Sequence, residues 1–176
     1  MLTKYQDFKD SAIERIAQEM CLAARTAPKA RGLDLLEMAI IKGETLKQLS
    51  DKMKEIGDAR NHFTFQRDSQ SILSAQIMVL IGTKKQTIGL KYCGFCGFEN
   101  CAAAEKAGAL CAYNSGDLGI ALGSAVSVAM DHRLDNRIMY SAGKAAVEMQ
   151  LLGKDIVAAY GIPLSATAKN PFFDRK

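Results

Sequence analysis

The run Ile77-Met78-Val79-Leu80-Ile81 decides the architecture. Its apolar residues are unbroken and rich in β-branched members, the pattern of a central strand rather than one with a wet face. Such a strand has to be covered by other elements. Toward the N-terminus, residues 44–57 carry Leu46, Leu49, Met53 and Ile56 at helical spacing, and Gly43 separates them from a strand over 35–41. Before that strand, Ile13, Ile16, Ala17, Met20, Cys21 and Ala24 form one apolar stripe of a helix over 5–24. The stretch 60–76 is ambiguous, with Asp68 placed to cap a short helix through Ala75.

Toward the C-terminus, a short strand is expected over 86–90 and a helix over 100–106. Asp117 is the expected N-cap of a helix from Leu118 to about His132, apolar on nearly every face and therefore central. A further helix over 138–152 ends at Gly153, and residues 155–162 read as a strand stopped by Pro163. Phe172 and Phe173 need cover from the domain or a partner. Three strands alternating with helices make an α/β or α+β layer arrangement, a small sheet under helices, in a single domain over 1–176.

With 176 residues, the chain can bury ~70% of its unfolded surface and needs no staples. Its net charge of +4 is mild, and no basic run interleaved with aromatics appears, so nucleic acid is not expected. Met1 to Asp10 is polar and charged, unlike a signal peptide. The run from Leu118 to Met130 falls short of the ~18 apolar residues of a membrane span. The expected location is the cytoplasm, away from membranes.

Four of the five cysteines fall in residues 91–112: Cys93, Cys96, Cys101 and Cys111, spaced C-x2-C-x4-C-x9-C. Thiolates this close, in a reducing compartment, read as metal ligands before disulfides. Gly94 and Gly97, after Cys93 and Cys96, permit the positive φ that turns backbone N–H groups toward sulfur. Phe95 and Phe98 are placed to exclude water. A structural zinc site usually shows two separated knuckles, whereas this stretch has one knuckle and then two single cysteines. That stepped order favours an iron–sulfur cluster over zinc, with free thiols or disulfides as a third reading. Cys21, in phase with the α-helical stripe, reads as a core residue. His62 reads as a surface or satisfied histidine rather than a ligand, and His132, beside Asp131 and Arg133, as a capping or surface residue rather than an acid–base group. No Ser-His-Asp set, paired carboxylates or P-loop supports hydrolysis or phosphoryl transfer.

Between the first helix and strand, Arg25-Thr26-Ala-Pro28-Lys29-Ala-Arg31-Gly32 places three cations in a loop that Pro28 and Gly32 keep out of helix. It is either an anion cradle or a solvated turn.

Three resemblances follow from these residues. Cys93-Gly-x-Cys96-Gly-Phe-x-x-Cys101-Ala-x-x-Ala resembles the 4Fe-4S domain of electron-transport and corrinoid proteins, differing in its last spacing and in Ala112, rather than proline, after Cys111. It implies one 4Fe-4S cluster on Cys93, Cys96, Cys101 and Cys111. The first helix, the Ala24-to-Ala30 loop, the strand and the next helix resemble the start of nitroreductase-type flavoproteins, as the block ending Tyr160-Gly-Ile-Pro163-Leu does their later part. That implies an α+β fold with an inserted cysteine-rich loop, a homodimer, and FMN near Arg25, Thr26, Lys29 and Arg31. Taken whole, the chain resembles DUF2148, a prokaryotic family described as containing a ferredoxin domain. Together they imply a redox protein that exchanges electrons with a partner protein or a small-molecule acceptor and, if an enzyme, an oxidoreductase; FMN fed by the cluster, or a structural zinc in a non-enzymatic module, are the alternatives.

These readings separate the cysteines. Replacing Cys93, Cys96 or Cys101 with Ser should abolish or convert the metal centre, measured as bound metal per chain. Cys21→Ser should leave it intact and cost on the order of 1–2 kcal/mol of stability. Loss of metal in Cys21→Ser with retention in Cys111→Ser would reassign the fourth ligand.

Overall fold

The computed structural model describes residues 1–173; residues 174–176, the end of the expected domain, lie outside the described residues. The fold is α+β, as expected. Its elements run α1 (Tyr5–Thr26), a 3-10 turn (Ala30–Gly32), β1 (Leu36–Lys42), α2 (Glu44–Ala59), α3 (Phe63–Ile72), β2 (Ile77–Lys84), α4 (Cys101–Lys106), α5 (Ala112–Asp131), β3 (Asp135–Asn136), α6 (Tyr140–Glu148) and β4 (Ile156–Ser165). The sheet order is β1-β2-β4-β3, antiparallel throughout.

The apolar run sits in the middle, with Leu80 paired to Ala39 on one side and to Gly161 on the other. Its pleat sends alternate residues to opposite faces. Ile77, Val79 and Ile81 join Ile162 and Leu164 under α1 and α5, packing on Met20, Ala24, Leu118 and Ala125. Met78 and Leu80 face α2, α3 and α6, packing with Leu49, Met53, Ile72 and Ala142. One strand thus anchors both cores.

Several boundaries differ from expectation. Residues 86–90 form no strand, and 85–100 follow an irregular path. Asp68 caps nothing: it lies inside α3, buried, where its Oδ1 accepts from Arg67 and its Oδ2 accepts from Ser141 Oγ at 2.6 Å. Helix α5 starts at Ala112 with Cys111 as N-cap, and Asp117 lies within it. There Asp117 Oδ2 accepts the Ala30 N–H at 3.0 Å, so the carboxylate serves a neighbouring turn instead of its own helix end.

Pro163 does not stop β4. Gly161 exchanges both backbone bonds with Met139, so its N–H and C=O point away from β2. Pro163, two residues on, points the same way. Opposite it β3 has already ended, pairing only with Leu164 and Ser165, so the missing donor breaks no ladder bond. At the C-terminus, Phe172 is buried in the core beneath α2 and α6, Arg137 Nη1 donates to its carbonyl at 2.8 Å, and the Arg137 guanidinium covers the Phe173 ring.

Helix α6 meets β4 through Gly143. A Cβ there would lie 1.8 Å from Ala159 O and 2.5 Å from Tyr160 Cα, both backbone atoms. The helix can approach only because that carbon is absent. Gly143→Ala should therefore destabilise the chain by about 3 kcal/mol, through displacement of a backbone that cannot yield locally. A chemical-denaturation midpoint unchanged from wild type would show that α6 can withdraw at no cost.

Candidate metal centre

The segment leading to the cysteines has no ladder to hold it, and side chains take that part. Arg31 Nη1 donates to Ile88 O at 3.0 Å, and Lys85 Nζ to Gly108 O at 3.1 Å. The Gln86 N–H reaches Asn114 Oδ1 at 3.1 Å, and Thr87 Oγ1 donates to Glu105. Ile88 is buried as an apolar plug. The loop is thereby pinned to the 3-10 turn, to α4 and to α5.

From this anchorage Cys93, Cys96, Cys101 and Cys111 all line one cavity. Each reaches it from a different local structure. Cys93 and Cys96 sit on consecutive turns at Gly94 (φ 80°) and Gly97 (φ 82°), closed by a bond from Gly97 N to Gly94 O at 2.9 Å. Only glycine takes this backbone without strain. The expected amide-to-sulfur geometry is present: Phe95 N–H donates to Cys93 Sγ at 3.5 Å. Cys101 opens α4, whose N-cap Asn100 accepts the Ala103 N–H at 2.9 Å. Cys111 is the N-cap of the 20-residue helix α5 and is buried. The N-terminus of such a helix carries about half a positive charge, which favours thiolate sulfur.

Exposure grades across the set, from Cys93 at the surface through Cys96 and Cys101 to Cys111. Phe98 is half-buried, but Phe95 is 77% exposed and leans on Tyr113, ring centroids 5.8 Å apart, so it does not seal the site. No three His, Cys, Asp or Glu side chains among the described residues converge closely enough to hold a single metal ion. Cys21 lies apart, half-buried on α1 beside Leu22 and Met38 rather than fully in the core. Burial pushes its thiol pKa up, with Arg25 opposing.

Each of the three loop cations donates to an acceptor of the protein itself. Lys29 Nζ donates to the carbonyls of Ala24, Arg25 and Ala27 at 3.1, 2.6 and 2.7 Å, closing the C-terminus of α1. Arg25 bonds Asp34 and the Leu36 carbonyl, and Thr26 Oγ1 turns back onto Leu22 O. His62 shares a 3.3 Å contact with Tyr140 Oη, and His132 pairs with Glu19 at 3.2 Å, both away from the cysteines. Sequence reasoning missed Asn114, whose only signal is a polar residue one turn after Cys111.

A sheet with α1 and α5 on one face and a late antiparallel strand at its centre is the nitroreductase-like fold. A nitroreductase with bound FMN from Desulfitobacterium hafniense superposes with a TM-score of 0.60 at 14% identity, over 92% of this chain and 83% of that one. A nitroreductase family protein from Clostridium novyi gives 0.61 at 12% identity, over 86% and 73%. An archaeal relative from Archaeoglobus fulgidus, described as an uncharacterized protein, is 40% identical across 99% of this chain and 98% of its own length. Residues 107–175 match the family described as "Uncharacterized protein containing a ferredoxin domain (DUF2148)", and the chain belongs to that family.

The Arg25–Asp34 pair carries a pH signature. Partial burial pushes the Asp34 carboxyl up, but the Arg25 hydrogen bond, the Leu36 N–H and the charges of Arg25 and Lys29 outweigh it and hold the pKa below the ordinary value. The unfolded chain therefore binds the proton more readily, and this stability is present above about pH 4 and lost as pH falls through the folded pKa. Wild type should exceed Asp34→Asn in denaturation midpoint near neutrality, and the gap should close below about pH 4. A gap that persists or widens in acid would contradict the pairing.

Proposed function

We propose that this chain is an iron–sulfur redox protein, one α+β domain over 1–176 that holds one 4Fe-4S cluster on Cys93, Cys96, Cys101 and Cys111 within 91–112. The observation that carries the reading is that four cysteines from separate local structures line a single cavity. A glycine turn presents an N–H to sulfur and α5 presents its N-terminus, both suited to sulfur that carries negative charge. The ferredoxin-domain description of the family agrees with it. A cluster bound there would supply one-electron transfer. The protein's own part is to ligate, to donate N–H groups to sulfur, and to leave Cys93 at the surface, where a redox partner protein or a small-molecule acceptor can approach. The site of action is the cytoplasm; among the described residues no helix is long and apolar enough to cross a membrane.

The fold favours a second reading, an FMN-dependent oxidoreductase fed by the cluster, with Arg25, Thr26, Lys29 and Arg31 near the flavin. The engagement of those cations with Asp34 and with backbone carbonyls weighs against it. A homodimer accompanies either reading. The outer face of α5, with Gly116, Gly119 and Gly123 open and Ile120 and Met130 exposed, is suited to a second copy.

Anaerobically purified protein should be brown and hold about four irons and four labile sulfides per chain. One tight zinc without sulfide, after reconstitution, would replace the cluster by a structural metal. Titration of the same protein with FMN separates the two redox readings. No binding at tens of micromolar leaves electron transfer, whereas saturable binding that weakens about tenfold in Arg25→Ala establishes the flavin.

A further inference from the structure

Asn114 stands out in the interior. It is 1% exposed, and its Nδ2 is the buried side-chain nitrogen left without a hydrogen-bond partner among the described residues. A buried amide N–H left unpaired costs ~1–3 kcal/mol. The side chain cannot simply turn over, because its Oδ1 already accepts the Gln86 N–H at 3.1 Å. Exchanging the two ends would set a donor against a donor. The free N–H is therefore fixed in direction by the loop it anchors.

Its position says what lies within reach. Asn114 lies in the first turn of the helix that Cys111 caps, and its own N–H bonds the Cys111 carbonyl at 2.9 Å. On its other side it holds Gln86, next to Thr87, which lines the cysteine cavity together with Ala112 and Tyr113. Cys111 is buried, and its side chain makes no capping bond to its own helix. Ligand thiolates and inorganic sulfides are acceptors that cannot donate, so they are the natural complement of an unpaired amide.

Building on the iron–sulfur reading, we propose that Asn114 is a positioning residue of the metal centre: its Nδ2, which meets no acceptor of the protein itself, donates a hydrogen bond to a sulfide of the cluster. A donor aimed at sulfur stabilises the more negative, reduced state more than the oxidised one, and so raises the reduction potential. Asn114 would then do two jobs with one amide, its oxygen fastening the cysteine loop and its nitrogen tuning what the loop holds.

The test uses the full chain reconstituted with iron and sulfide, its asparagines labelled with nitrogen-15 on the side-chain amide. Iron and labile sulfide are counted first; a wild-type chain without sulfide removes the cluster reading and this proposal with it. Pulsed electron paramagnetic resonance of the reduced protein should then show a side-chain nitrogen-15 coupling that is lost in Asn114→Leu and Asn114→Asp. The midpoint potential should be more negative in both. Asn114→Asp keeps an oxygen for Gln86, and Asn114→Leu adds no charge, so a shift in both isolates the lost donor. A loaded Asn114→Leu with wild-type potential and an unchanged coupling overturns the role of Asn114 while leaving the cluster in place. Where neither variant takes up the cluster, the labelled wild-type spectrum decides: absence of any side-chain coupling overturns the proposal.

Discussion

Everything in this fold depends on burying one strand on both faces. β2 has no polar side to give to water, and its pleat shares five apolar residues between two cores. At about 25 cal/mol per Å² of apolar area, neither face can be left open without a large loss of stability. That requirement places α1 and α5 on one side and α2, α3 and α6 on the other. It also fixes which residues of β4 point inward, since Ile162 and Leu164 must continue the layer of Val79 and Ile77. The cysteine centre hangs from this frame, on the path from the end of β2 to the start of α5.

That path is irregular, and its backbone groups cannot rely on a neighbouring strand. The bonds that hold it come from Arg31, Lys85, Asn114 and the Thr87–Glu105 contact. Arg31 and Lys29, readable as an anion cradle, thus work as fasteners. The cause is general: the last carbonyls of α1 have no intrahelical partners, and a cation two or three residues beyond the helix end is placed to meet them. The same turn abuts the cysteine loop, because Ala30 is tied to Asp117 on α5. The cysteine loop and the α1–β1 turn are therefore tied to each other and to α5 by side-chain bonds.

The central strand, the amphipathic helices α1 and α2 and the positive φ of Gly94 and Gly97 were legible in the sequence, because each follows from a short-range rule. Apolar periodicity needs only neighbours, and a glycine between closely spaced cysteines needs only its missing Cβ. The start of α5 was not legible. Asn114, Ser115 and Gly116 are poor helix formers, and the tertiary packing of Leu118 and Ala121 outweighs their preference. Asp68 and Asp117 have the composition of helix caps, yet each serves a partner far away in sequence, Ser141 and Ala30. Asn114 was invisible for the same reason, since its partner Gln86 lies across a loop whose course no local rule predicts. What escaped the sequence was set by long-range hydrogen bonds; what it disclosed was set by burial and backbone freedom.

The proline in β4 has a further consequence for how the molecule behaves in a crowded solution. From Ala159 to Ser165 the side of β4 that faces away from β2 offers nothing to an incoming strand. Ala159 lies hard against Gly143 of α6, Gly161 is tied to Met139, Pro163 has no N–H, and Ser165 is paired by β3. A foreign β-segment would need an unbroken row of donors and acceptors to add there, and every second position is already closed. Stacking of sheets from different molecules is thus barred at this margin without any charged residue on guard, and β1 is left as the margin where a strand could still be added.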